Sequence, residues 1–366
     1  KDMDEMKMWF RPVKGIAFCI VAAFFGGQAM AQVQAKRSFP SAKRISAFDN
    51  TTFCTAFLSD GSLLTIRDIP IVDLRDVDKI AFNPTGSSLA LMRGKKPVSI
   101  YSFRDRNKKL FELKEQRKSK ELKGRKNLNF FVPGPVGAEL MKDASKGDIV
   151  PVAMCYGADA RNFLVSNSLG EIIVYDTKAY LPQAYIQGKA VATAITMSPN
   201  NYFIAAGTGK NIDIWNFQTK ELRTSLPMPA EVTELVFSAD ASQMAVVTAD
   251  KRLTIFDTKT WDKVDIFDKI GGTLTSPSFH PDGKYISVVK DGNAIVIMNL
   301  KNSVPEQTLD ENPGGVTGSR FFVNKQTSDV FMLSNRAKGL VFWDANGLNP
   351  FFGKLMSKEV DAKMNE

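Results

Sequence analysis

Few of the usual catalytic groups are available to this chain. His280 is the only histidine in 366 residues, and Cys19, Cys54 and Cys155 share no motif spacing. A zinc centre needs a cluster of His, Cys or carboxylate ligands. A nucleophilic triad needs a base beside its Ser or Cys. Neither set is present. Gly207-Thr208-Gly209-Lys210 resembles a phosphate loop in composition, but it lacks the Walker spacing and lies between two strand-like runs. Asp240, Asp250, Asp282 and Asp291 recur in turns, where an Asp side chain bonds its own backbone. Acid/base carboxylate pairs leave no local signature, so a carboxylate enzyme is the catalytic class left open. The sequence assigns no catalytic residue, no cofactor and no metal ligand.

Charge offers a different chemistry. Of a formal net charge of +9, residues 104–126 alone hold eleven Lys/Arg against four Asp/Glu, a net of +7. Within them, Arg117, Lys118, Lys120, Lys123, Arg125 and Lys126 sit in EQRKSKELKGRK, which has no apolar periodicity and reads as solvated. These six are the candidate partner-binding residues. They suit an acidic protein partner or an anionic membrane surface. Nucleic acid is disfavoured, since the aromatics Phe130 and Phe131 follow the charges rather than interleave with them. No motif points to a small-molecule substrate.

The elements that carry these residues repeat. Thr275–Leu300 reads strand, Pro281-Asp282-Gly283 turn, strand, Asp291-Gly292-Asn293 turn, strand. The same frame recurs at Thr193–Phe217, Thr233–Asp257 and Thr317–Asp344, with earlier copies at Asp78–Phe103, Ile149–Asp176 and Arg44–Asp68. The anchors Met197, Phe237, Phe279 and Phe321 are spaced by 40, 42 and 42 residues, the period of a four-stranded blade. One such sheet alone would expose too much apolar surface, so each copy needs its neighbours.

The turns at Ser198-Pro199-Asn200, His280-Pro281-Asp282-Gly283 and Asn83-Pro84-Thr85-Gly86 recur with strand ends Tyr175-Asp176, Trp215-Asn216, Phe256-Asp257 and Trp343-Asp344. In these features the chain resembles the WD-repeat β-propeller family, of a secreted bacterial type, over nearly all of Arg44–Asp344. The Gly-His dipeptide that often opens such repeats is missing, so the family's buried His-Asp network is not carried over. The resemblance implies an all-β fold, a seven-bladed β-propeller of four-stranded antiparallel blades. His280 falls at the Ser/Asn/His slot of a blade turn, a structural position. Trp215 and Trp343 are expected to pack between blades, and Trp261, on a connecting turn, to be exposed.

The chain divides accordingly. Residues 1–31 read as a signal peptide with an upstream extension: Lys7, Arg11 and Lys14, the apolar Ile16–Phe25, then Ala29-Met30-Ala31, with cleavage before Gln32. The apolar core is shorter than the roughly 20 residues of a membrane span. This predicts a periplasmic or secreted protein. Residues 32–345 form the propeller, with 104–148 a basic insertion between blades 2 and 3 whose Lys109–Lys114 suits an outer strand. The ring is expected to close by pairing Val33–Ser38 with Leu340–Trp343. In residues 346–366, Leu355, Met356, Val360 and Met364 fall at helical spacing, predicting a short C-terminal helix that leads into a further module. Cys54 and Cys155 read as small buried hydrophobes rather than a disulfide.

A composition of 44% hydrophobic and 24% charged residues is that of an ordinary globular chain. The expected function is a non-catalytic protein-binding scaffold of the bacterial envelope. The alternative is the recognition or gating propeller of a longer, peptidase-like hydrolase.

Overall fold

A computed structural model describes residues 42–47, 54–58, 63–65, 77–84, 87–102, 109–113, 129–131, 149–309, 315–323, 330–336, 339–344 and 357–359. The expected signal segment, the six basic candidates and Val33–Ser38 lie outside the described residues. Regular structure among the described residues is all β.

The first sheet is a meander of three strands, β1 (Ala42–Ala47), β2 (Cys54–Leu58) and β3 (Leu63–Thr65). The second holds β4 (Lys79–Phe82), β5 (Ser88–Met92), β6 (Val98–Ser102) and β7 (Lys109–Leu113). The third has five strands. These are β8 (Asn129–Phe131), β9 (Pro151–Tyr156), β10 (Asn162–Asn167), β11 (Glu171–Asp176) and β12 (Pro182–Gln187), in the order β8-β12-β11-β10-β9.

Four four-stranded sheets then follow the anchors of the repeat. The fourth is β13 (Ala194–Met197), β14 (Phe203–Gly207), β15 (Asn211–Asn216) and β16 (Leu222–Pro227). The fifth is β17 (Val232–Phe237), β18 (Gln243–Thr248), β19 (Arg252–Asp257) and β20 (Lys263–Phe267). The sixth is β21 (Leu274–Phe279), β22 (Tyr285–Lys290), β23 (Ala294–Asn299) and β24 (Val304–Leu309). The seventh is β25 (Val316–Val323), β26 (Val330–Arg336), β27 (Gly339–Asp344) and β28 (Ser357–Glu359).

Middle strands are buried along almost their whole length, as in β10, β18 and β23, and β18 and β23 are rich in Ile, Val and Ala. They are apolar on both faces because each sheet is covered by a neighbour on either side. Fourth strands are different: β16 alternates half-buried and exposed residues, the pattern of an outer edge with one face to solvent. Core clusters accordingly lie between sheets. One joins Ala153, Leu164 and Ile172 of the third sheet to Ile195, Ile204 and Trp215 of the fourth.

First strands neighbour one another in succession, β1 with β4, β4 with β9, then β13, β17, β21 and β25, and β25 lies against β1. This architecture of antiparallel four-stranded sheets is consistent with a β-propeller.

The carboxyl end departs from expectation. The outer strand of the seventh sheet is β28, pairing Trp343 with Ser357, Phe342 with Lys358 and Val341 with Glu359. Residues 357–359 are therefore a strand and not part of a helix, and the edge expected to receive Val33–Ser38 is taken. The physical reason is tertiary. The N–H and C=O groups along β27 offer ladder bonds that outweigh the weak helical period of four apolar residues.

Candidate interaction surfaces

Two families of turns repeat from sheet to sheet, and both are built by polar side chains. Between the first and second strands, Ser198 Oγ donates to Asn200 Oδ1 at 2.7 Å, and Ser238 Oγ to Asp240 Oδ1 at 2.6 Å. His280 takes the same place in the sixth sheet, its Nδ1 2.7 Å from Asp282 Oδ1. Each turn then passes through a left-handed residue, Ala160, Asn201, Ala241 or Gly283. His280 is buried and meets the edge of Phe321 at 5.2 Å and of Tyr285 at 6.1 Å. The histidine is a turn and packing residue, as its slot implied.

Between the third and fourth strands, the terminal Asp or Asn of the repeat folds back on its own chain. Asp176 Oδ1 accepts from the N–H groups of Lys178 and Ala179 at 3.0 and 2.8 Å. Asn216 does so with Gln218 and Thr219, Asp257 with Lys259 and Thr260, and Asn299 with Lys301 and Asn302. These are Asx turns, which explain the recurring aromatic-Asp and Trp-Asn ends. N–H donation from Thr260 and Lys259 holds the Asp257 carboxyl below the usual range. Burial alone would raise Asp240, but bonds from Ser238 and Ser242 outweigh it and lower it too. Carboxylates so engaged are structural anions, not acid/base groups poised near neutrality.

Four residues later each turn again uses the left-handed region, at Tyr180, Lys220, Trp261 and Ser303. At Tyr180 and Trp261 the side chain lies back on the sheets. Trp261 is consequently buried, its ring edge-on to Phe203 at 5.0 Å, where a turn position had implied exposure. Trp215 packs between the fourth and third sheets as expected.

Lys220 is the one described lysine that burial shifts strongly. Its Nζ lies 3.7 Å from the Phe217 ring centroid and donates to the Phe217 carbonyl, and burial lowers it from 10.5 to about 8. The folded state therefore holds fewer protons than the unfolded chain between pH 8 and 10.5, so this group adds stability as pH rises through that window. Lys220→Met removes the titration. The difference in urea midpoint between parent and variant is expected to move in the parent's favour between pH 7 and pH 10. A pH-independent difference counts against the assignment. Solvent around the half-exposed residue keeps the effect small.

Side chains also bridge the sheets near the ring axis. Lys79 Nζ of β4 donates to the carbonyl of Val152 in the third sheet at 2.8 Å and of Thr193, just before β13, at 3.2 Å. Glu234 of β17 accepts from the Ser276 N–H of β21 at 3.0 Å, and Phe321 N–H of β25 donates to Ser278 Oγ at 2.9 Å. Such bonds fix each sheet relative to the next. Sequence reading missed all of them, because their partners lie 42 to 114 residues apart.

Gly207–Lys210 is the tight connection of the β14–β15 hairpin, closed by Thr208 N–H to the Asn211 carbonyl at 2.9 Å. A Cβ on Gly207 would meet Val232 Cγ1 at 2.7 Å; the glycine is there for packing against β17. No group of three or more His, Cys, Asp or Glu among the described residues is placed to hold a metal.

Arg117, Lys118, Lys120, Lys123, Arg125 and Lys126 lie outside the described residues, but their flanks are placed. β7 ends the second sheet at Leu113, and β8 begins on the outer edge of the third sheet at Asn129. The described strands that flank the basic run in sequence, β7 and β8, are thus outer strands of two neighbouring sheets. Lys109–Leu113 belongs to the sheet itself.

No family model matches the chain. Echinoderm microtubule-associated protein-like 2 of Rattus norvegicus is 24% identical over 147 residues, 39% of this chain. The Periodic tryptophan protein 2 homolog of Dictyostelium discoideum is 29% identical over 132 residues, 30% of this chain, and that of Schizosaccharomyces pombe 24% over 158 residues, 42% of it. The chain spans less than a quarter of the length of these relatives, 22%, 14% and 18%. They are WD-repeat proteins, which at this low identity suggests a WD40-type family.

Proposed function

We propose that this protein is a seven-bladed propeller of the bacterial cell envelope. It is exported by its leader and acts as a non-catalytic scaffold that holds a protein partner on its loop faces and its basic run. The observation that carries the reading is the use made of the recurring polar residues. The Ser198–Asn200, Ser238–Asp240 and His280–Asp282 pairs and the four Asx turns spend their polarity on fixing loops at a regular spacing. Loops held on a rigid frame suit recognition. Seven sheets and the cyclic order of their first strands support the blade count.

The basic run gives the partner its sign. Concentrated in one segment between the outer strands β7 and β8 in the sequence, it favours an acidic protein surface. The test is capture from native envelope extract by the full chain and by a variant with Arg117, Lys118, Lys120, Lys123, Arg125 and Lys126 all changed to Gln. Substitution is preferable to excising residues 104–126, which would remove β7 and strip the second sheet of its outer strand. Exposed ion pairs contribute about 0.2–1 kcal/mol each, so the six changes together are expected to weaken binding by at least about tenfold and to flatten its salt dependence. Equal capture by both proteins at every salt concentration removes the basic run from the interface. Turnover of a substrate with no captured partner overturns the scaffold reading.

A further inference from the structure

The outermost strand of a sheet presents a row of N–H and C=O groups that can template any extended chain, and charged side chains are a common defence. Fourth strands here are so defended: Lys109 and Glu112 in β7, Arg223 in β16, Lys263 and Asp265 in β20, Glu306 in β24, Lys358 and Glu359 in β28. β12, with the sequence PQAYIQ, carries no charge. It is also the fourth strand that has acquired an outer neighbour among the described residues. β8 lies along it in parallel, Asn129 opposite Ala184, Phe130 opposite Tyr185 and Phe131 opposite Ile186.

This added strand is built to be exchangeable. All other strand pairs among the described residues are antiparallel, and parallel pairing is the weaker per residue. β8 is only three residues long. Its departure leaves the sheet whole, because β9–β12 pair among themselves as a complete four-stranded unit. It joins β7 through residues 114–128, the connection that contains the basic run.

We propose that the outer edge of β12 is a strand-docking site and that β8 is its occupant in cis, exchanged for an extended segment of a protein partner. The occupant supplies the template for the ligand. An uncharged stretch with adjacent aromatics, like Asn129-Phe130-Phe131, fits the edge. Tethering holds β8 at an effective concentration on the order of millimolar, so a free segment at micromolar concentration does not displace it. A partner already engaged elsewhere on the protein competes on equal terms. The inference rests on the scaffold reading only in taking the partner to be a protein.

The test uses the full chain, a Phe130→Pro/Phe131→Pro variant, and a fluorescent peptide with the sequence of residues 127–132. Proline removes the N–H groups that β8 needs for the ladder. The variant is expected to bind the peptide saturably, at least about tenfold more tightly than the parent, and a peptide N-methylated at both Phe positions is not expected to bind. Hydrogen exchange checks the fold, since β9–β11 must stay protected in the variant. It also reads the parent directly: the β12 amides that face β8 are expected to exchange at least about tenfold faster than those of β11. The proposal is overturned if the folded variant binds no better than the parent, or if the β12 amides exchange as slowly as those of β11. Partner capture from extract that persists in either case leaves the scaffold reading standing.

Discussion

Phe163→Ala is expected to destabilise the protein by about 3–5 kcal/mol, the cost of truncating a fully enclosed aromatic ring. Phe163 is 0% exposed at the second position of β10. Its ring lies 4.5 Å from Tyr156, 6.5 Å from Tyr175 and 6.1 Å, edge-on, from Tyr180. Ala90, Val98 and Ile100 of the second sheet complete the cluster. The site cannot collapse easily, because hydroxyl contacts hold its rim: Tyr156 Oη is 2.8 Å from Tyr180 Oη, which is 3.1 Å from Ser88 Oγ. Those bonds tie the third sheet to the second, so the ring lost from between them leaves a void rather than a closed seam. In a ring this large the effect appears as a fall of roughly 5–15 °C in midpoint on thermal unfolding. Phe163→Leu keeps most of the volume and should cost under about 1.5 kcal/mol. Tyr202→Ala, at a side chain 58% exposed, should cost less than about 0.5 kcal/mol. If Phe163→Ala is as mild as Tyr202→Ala, the packed seam between the second and third sheets does not govern stability.

The sheets could be read from the sequence because each is encoded locally. Tyr285-Ile286-Ser287-Val288-Val289 states a strand, Asp291-Gly292-Asn293 a turn, and the frame returns every 40 to 42 residues. What escaped was what the repeat does not encode in residue type. The left-handed position after the third strand is filled by Tyr180, Lys220, Trp261 and Ser303, four side chains with nothing in common, so no signal marked it. A register shift recurs there too, between Ile214 and Trp215, Ile255 and Phe256, and Ile297 and Met298. The irregularity is set by the Asx turn that follows and not by the strand's own residues. Trp261 was misplaced for the same reason: a turn was equated with solvent, while its backbone conformation aims the indole at Phe203. β8 and β28 are three-residue strands recruited by the edges they cover, and neither Asn-Phe-Phe nor Ser-Lys-Glu announces that by propensity. The binding candidates were legible as charge alone. That the strands on either side of them in sequence, β7 and β8, are outer strands needed the topology.

Cys155 is expected to resist alkylation at pH 8 about a thousandfold more than an ordinary exposed thiol, because only the thiolate reacts. The residue lies in β9, opposite Leu164 of β10, and packs against the cluster that joins the third and fourth sheets. Burial pushes its thiol up from 9.0 to about 12, only partly offset by a hydrogen bond with the Met197 backbone. Each unit of rise removes about nine-tenths of the remaining thiolate at a pH well below the pKa, hence the three decades. Iodoacetamide labelling followed by mass spectrometry should find Cys155 unmodified in the folded protein and fully modified in denaturant. Rapid labelling under native conditions contradicts the raised pKa of this partly buried thiol. The consequence bears on function. Cys155 is a free thiol, held in its neutral form through the physiological range, so it is disabled both as a nucleophile and as a partner for thiol–disulfide exchange. The reactive-cysteine enzymes therefore lose this residue, and a small apolar filler between two sheets is what its surroundings ask of it.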